Sequence, residues 1–155
     1  MKSHLTNWLC CLLLFVASAS SFAQSPEGNW IATYDQNVAG KMLKDKDFAV
    51  MELRVTPDGV ARFIIKTLLN GFSTVCNNCP PGYAMKPTIG LEWCKNLQPV
   101  SGKPGEFESG WALDPETGDT LTEVRIKKTG RGALELSGRS AKSGSIRTFQ
   151  LRRQQ

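Results

Sequence analysis

The sequence predicts an all-β protein, a single up-and-down barrel of about eight short strands. Three observations predict it. Proline and glycine punctuate the chain at short intervals, and the segments between them alternate apolar and polar residues. No stretch carries a convincing amphipathic helical repeat. Most links look like tight hairpins, and closing such a meander removes the open edges that a flat sheet would have to protect.

The elements follow in order. Asn29 to Tyr34 is the first candidate strand. The stretch 36–46 lacks strand character and is expected to be a loop or one short helix over a barrel mouth. Phe48 to Thr56 reads F-A-V-M-E-L-R-V-T, too β-branched and too short for a helix. The Pro57-Asp58-Gly59 turn joins it to Val60 to Leu69 as a hairpin. An irregular stretch from Asn70 to Pro87 carries two cysteines and three prolines. Leu91 to Leu97 and Phe107 to Leu113 are further strands. Asp114-Pro115-Glu116-Thr117-Gly118 is a strong turn, with the Asp114 side chain capping it. Thr120 to Lys127 alternates, placing Thr122, Val124 and Ile126 on one face. The Thr129–Gly132 turn, Ala133 to Gly138, a polar turn at Lys142-Ser143-Gly144 and Ile146 to Arg153 complete the set. Interior candidates are Val50, Phe63, Ile65, Trp111, Val124, Leu134 and Phe149, although alternation alone does not say which face points inward.

The first 23 residues read as a secretory signal peptide: Lys2, an apolar run from Trp8 to Ala17, then small residues, with Ser21 and Ala23 placed for cleavage after Ala23. Cleavage after Ala19 is the neighbouring alternative. The apolar run is too short to span a bilayer. The expectation is one exported domain from Gln24 to Gln155, periplasmic or secreted from a Gram-negative-type bacterium, and not an integral membrane protein. His4 is the chain's one histidine and would leave with the segment. A Ser-His-Asp triad, a Cys-His pair and every imidazole metal ligand are then excluded.

An ordered set of residues carries a family resemblance. Gly28-Asn29-Trp30 opens the first strand, and Cys76-Asn77-Asn78-Cys79 is followed by Pro87, Ile89 and Gly90. Gly110 precedes Leu113-Asp114-Pro115, with Gly118 beyond, and Arg147-Thr148 and Arg153 lie near the end. This order and spacing resembles the bacterial family known as domain of unknown function 2147. The resemblance departs at Leu121 and Leu151, where that family usually carries an aromatic residue and a tryptophan. It implies an exported domain with a lipocalin-like barrel. The Gly-x-Trp opening also looks like the lipocalin signature, in which a tryptophan closes one barrel end beneath an arginine of the last strand. That likeness implies that Trp30 packs with Arg153, or alternatively with Arg147; an ordinary core tryptophan without an arginine partner is the other reading.

Cys76-x-x-Cys79 is the most chemically loaded motif. In an oxidising compartment its default fate is a disulfide. A thiol–disulfide redox role is the alternative, but Pro80-Pro81-Gly82 prevents the helix that such chemistry usually needs after its cysteines. Cys94 is then the odd thiol, either free or exchanging places in the pair. Three thiolates without a histidine make a poor metal site, so no metal and no cofactor are expected. Glu106 with Glu108, and Asp114, Glu116 and Asp119, read as surface and turn residues. No phosphate-binding loop, nucleophile elbow or dinucleotide fingerprint is present.

Charge is unevenly placed. From Arg125 to the end stand nine Lys or Arg and one acid, whereas Gln24 to Val124 carries nine basic and thirteen acidic residues. Arg125, Lys127, Lys128, Arg131, Arg139 and Lys142 would form a basic surface for an anionic envelope lipid or a protein partner, not nucleic acid. The expected function is non-enzymatic binding of a small hydrophobic or lipid-like ligand. The alternatives are a filled barrel used as a structural or protein-interaction domain, and the redox role of Cys76 and Cys79.

Overall fold

Alternation along the chain becomes the inside and outside of a closed sheet. The computed structural model describes residues 25–38 and 41–155, so the expected signal segment, with His4, Cys10 and Cys11, lies outside the described residues. Eight antiparallel strands run in sequence order: β1 (Gly28–Val38), β2 (Lys41–Val55), β3 (Ala61–Leu68), β4 (Glu92–Pro99), β5 (Phe107–Leu113), β6 (Thr120–Gly130), β7 (Ala133–Ser140) and β8 (Ile146–Arg153). Each pairs with the next, and β8 returns to β1 from Trp30↔Arg153 to Thr33↔Gln150, which closes the barrel. Among the described residues there is no helix, and so none long and apolar enough to cross a membrane.

The helix or loop expected over 36–46 is not there. Gln36↔Leu43, Asn37↔Met42 and Val38↔Lys41 pair, so β1 and β2 continue as one long hairpin beyond the barrel. Asp, Asn, Gln and Lys have weak intrinsic strand preference, but the ladder to a neighbouring strand outweighs it. The expected face of β6 is also corrected. Glu123 adopts φ 53°, and the β6–β7 register slips between Thr122 and Arg125. This irregularity turns Thr122 outward and brings Leu121, Val124 and Ile126 to the core.

Inside, Trp93, Phe63, Met51, Leu53, Ile65 and Leu97 are almost wholly inaccessible. Of the interior candidates, Phe63, Ile65, Val124, Leu134 and Phe149 belong to this core. Val50 is buried but pairs with Ile31 outside the core cluster. Trp111 is half-buried on the outer wall, tilted against Tyr83 at 5.7 Å, with the Lys95 ammonium 4.9 Å from its ring.

The barrel has two unlike ends. One gathers the short links Thr56–Val60, Val100–Glu106 and Arg131–Gly132, together with Ser25–Glu27; it is the closed end. The other, the mouth, carries the β1–β2 extension, the long link from Leu69 to Leu91, the Asp114–Asp119 turn and the Ala141–Ser145 turn.

Candidate functional site

The closed end is built on Trp30. Its indole is 3% exposed, and its Nε1 donates to the Pro26 carbonyl at 2.9 Å. The Arg153 guanidinium lies 5.4 Å from its ring centre, and not Arg147. Arg153 Nη1 donates to the Ser25 carbonyl at 3.0 Å and Nη2 to the Glu27 carbonyl at 2.6 Å. Gly28 explains the first residue of the Gly-x-Trp opening. Its φ is 122°, and a Cβ there would stand 3.1 Å from Arg153 Nη2. Beside this end runs a shallow cleft of about 370 Å³, lined in part by Pro26, Val55, Pro99, Lys103 and Phe107. Glu106 lies along it, and Glu108 is close by on β5, far from the acids of the mouth.

A local disulfide tightens the long link where it meets the Asp-Pro turn. Cys76 and Cys79 form a disulfide with Cα atoms 5.5 Å apart, and both are buried. Pro80 follows at once, and the chain turns back through Tyr83 N–H to the Pro80 carbonyl. The Cys79 side faces the Pro115 carbonyl at 3.9 Å, and Ser73 N–H donates to Glu116 Oε2 at 3.2 Å. Gly118, at φ 65°, abuts the Asn78 carbonyl so closely that any side chain would collide with it. Cys94 is free and fully buried in β4, and desolvation pushes its thiol far above the ordinary range. Such burial favours the neutral thiol over the thiolate. Among the described residues no group of His, Cys, Asp and Glu is arranged to hold a metal.

The Asp-Pro turn organises charge at the mouth. Asp114 is 7% exposed and Asp119 5%. Asp114 Oδ1 accepts from Glu116 N–H at 3.0 Å, and its Oδ2 accepts from the Thr117 hydroxyl at 2.8 Å. The same oxygen accepts from Arg147 Nη1 at 2.7 Å. Asp119 Oδ2 accepts from the Ser140 hydroxyl at 2.6 Å and stands 3.8 Å from Arg147 Nη1. One guanidinium thus faces two buried carboxylates whose remaining lone pairs are engaged by turn residues.

Beneath Arg147 lies an aromatic floor. Its guanidinium is 5.2 Å from the Phe149 ring. Phe149 meets Trp93 edge-on at 5.3 Å and Phe48 at 5.9 Å, and Phe48 meets Phe72 at 5.1 Å. Tyr34 stands edge-on to Phe48 and Phe72 at 5.3 and 5.6 Å. Tyr34 and Phe72 are half-buried, whereas Phe48, Trp93 and Phe149 are buried beneath them. The Tyr34 phenol is raised above its ordinary value, first by burial and then by the charges of Asp114 and Glu116, with Arg147 opposing.

The six basic residues do not gather here. Arg125 and Lys127 lie on the outer face of β6, and Lys128 and Arg131 at the closed-end hairpin. Arg139 donates to the Gly144 carbonyl at 2.9 Å and faces Glu123 at 3.7 Å, and Lys142 Nζ donates to the Thr117 carbonyl. All six are exposed along the β6–β7 hairpin and the turn after it.

Sequence reasoning did not assign Tyr34 or Phe72 to a site, and it placed Arg147 only as an alternative partner for Trp30. The signal for Arg147 was present: Arg147, Phe149, Leu151 and Arg153 recur every second residue on the face of β8 that meets the core. Phe72 lies in the irregular link, where no period exists to flag it.

No protein-family model matches the chain, and no curated protein matches it. Among solved structures, it is similar to Protein HP1028 from the human pathogen Helicobacter pylori, which belongs to the lipocalin family. The TM-score is 0.62 at 18% sequence identity, over 84% of each chain. The likeness is one of fold. It agrees with the eight-strand closed barrel described above and with the lipocalin-like architecture expected from the sequence.

Proposed function

We propose that this protein is a non-enzymatic carrier or sensor that takes a small hydrophobic or lipid-like ligand at the barrel mouth, in the cell envelope. One observation carries the reading. The half-buried rings of Tyr34 and Phe72 stand over the buried cluster of Phe48, Trp93 and Phe149 at the end of the closed barrel that carries the long link. Small-molecule sites favour such mouths, mostly apolar with a few polar groups. Deeper down, Met51, Leu53, Leu97 and Leu136 fill the barrel, so the ligand sits in the outer half rather than along the axis. The lipocalin-like fold supports a binding role in general. Lys2, the apolar segment of Trp8 to Ala17 and the small residues up to Ala23 support export.

Native mass spectrometry and lipid extraction of protein freshly purified from the periplasm test this reading. A co-purifying acyl chain, carried on a polypeptide beginning at Gln24, is the expected result. Protein that is ligand-free, and that gives no tryptophan fluorescence change with medium-chain amphiphiles, contradicts it.

A second reading rests on the exposed Arg125, Lys127, Lys128 and Arg131, which lack a salt-bridge partner among the described residues. They suit an anionic lipid surface or an acidic partner. Binding to anionic vesicles that weakens steeply with salt, and that needs these residues, would favour it.

A further inference from the structure

The closed end carries a hollow beside the Trp30 plug. It is open, about 730 Å³, and lined by Arg131, Gly132, Arg152, Arg153, Gln154 and Gln155. Its backbone is fixed: Arg153 N–H donates to the Gly132 carbonyl at 2.8 Å, and Gln154 N–H to the Asn29 carbonyl at 3.0 Å. Gly132 turns the β6–β7 hairpin at φ 69° and lies close against Arg153. The three arginines differ in how far their charge is balanced. Arg131 is exposed, with no hydrogen bond or ion pair among the described residues. Arg153 directs both terminal nitrogens to neutral carbonyls. Arg152 meets Asp47 through Nη2 alone, and its side chain is 54% exposed.

The hollow continues a basic face. Arg125, Lys127 and Lys128 of β6 lead up to it, exposed and without ion-pair partners among the described residues. The acids on this side are fewer: Asp47, held by Arg152; Glu135, which accepts from Gln150 Nε2 at 3.2 Å; and the Gln155 carboxylate. From Arg125 to Arg131 the chain extends about 20 Å, further than one phosphate can bridge, so the face suits an array of anions. The exposed large apolar side chains among the described residues, Met85, Ile89 and Ile146, lie on the long link and at the mouth end of β8. None is on this face. A protein partner would be expected to bury an apolar centre, whereas lipid headgroups need only the cations.

We infer that the protein seats its closed end and β6–β7 face on an anionic phospholipid surface, with a headgroup phosphate in the hollow between Arg131 and Arg152. This rests on the second reading above and adds the place and the orientation. Guanidinium forks suit phosphate oxygens, which accept charge-assisted hydrogen bonds from them. The mouth then points away from the bilayer, because it lies at the opposite end of the barrel.

Co-sedimentation of the full exported domain with phosphatidylcholine vesicles, with and without phosphatidylglycerol, tests the inference. Binding is expected only where phosphatidylglycerol is present. Arg131→Gln is expected to lower it about fivefold, and Arg131→Gln with Arg152→Gln about thirtyfold. Lys86→Gln removes a like charge from the long link at the mouth and is expected to change it less than about twofold. Spin-labelled headgroups should broaden the amide signals of Arg131, Gly132 and Gln154 and spare Phe72 and Ile89. Equal losses from Lys86→Gln and Arg131→Gln, or broadening centred on Phe72 and Ile89, would overturn the placement while leaving an anion-binding protein. Release from the vesicles by inorganic phosphate at matched ionic strength would overturn the lipid in favour of a free anion. Tighter retention on polyglutamate than on the vesicles would overturn it in favour of an acidic protein. No binding to the anionic vesicles or to polyglutamate would overturn the second reading itself.

Discussion

The two ends of the barrel use the same pair of side chains to different ends. β8 presents a row of Arg147, Phe149, Leu151 and Arg153, with an arginine at each extremity. Each guanidinium lies over a ring, Arg153 on Trp30 at 5.4 Å and Arg147 on Phe149 at 5.2 Å. At the closed end the arginine donates to the backbone carbonyls of Ser25 and Glu27, which are neutral, fixed acceptors of the chain itself. At the mouth it faces Asp114 and Asp119, and among the described residues only its Nη1 has a hydrogen-bond partner. The same stack therefore makes a plug where its donors end on backbone, and at the mouth, where they meet side-chain carboxylates, it borders the proposed site. Substitutions at the closed end should cost stability and spare binding, and substitutions at the mouth should do the reverse.

The largest effect is expected from Trp30→Ala, which removes the plug and leaves a cavity. It should lower unfolding free energy by about 3–5 kcal/mol, read by denaturant titration. Arg153→Ala follows, at about 2 kcal/mol from two hydrogen bonds and the ring contact, with Trp30 emission shifted to the red. If either variant weakens ligand binding as strongly as it weakens the fold, the division between the ends fails.

The disulfide sharpens the comparison, because it belongs to the mouth alone. Replacing Cys76 and Cys79 together by serine should cost about 2 kcal/mol, the entropy of so short a loop. It should also loosen the link that carries Phe72 and braces Pro115 and Gly118, so ligand affinity should fall while Trp30 emission stays unchanged. The smallest effect is electrostatic. The Tyr34 phenol is held above its ordinary value of 10.0, chiefly by burial. Its folded value exceeds its unfolded one, so its contribution to stability is complete below about pH 10 and is lost as pH rises through the folded value. Stability of the protein should thus fall more steeply in alkali than that of Tyr34→Phe, measured by melting across that range.

The parts legible in the sequence were those with strong local chemistry. Asp114-Pro115 and Gly118 announce a turn wherever they occur, and Phe63 and Ile65 alternate without interruption. The β1–β2 extension was hidden because its polar residues pair through backbone, which composition does not record. The slip at Glu123 was hidden for a related reason, since an irregularity moves the face without changing the composition. Trp111 shows the limit of hydrophobicity as a guide: its ring packs on the outer wall beneath Tyr83 rather than in the core. The mouth itself joins Tyr34 of β1, Phe72 of a link, Asp114 of a turn and Arg147 of β8, and only closure of the barrel brings these together.

The proposed ligand enters at the mouth and not beside the plug. Amide chemical-shift changes on adding decanoate test it residue by residue. The prediction is that changes cluster at Tyr34, Phe72, Arg147 and Phe149 and spare Trp30 and Arg153. Changes centred on Pro26, Lys103 and Phe107 at the closed-end cleft would contradict it.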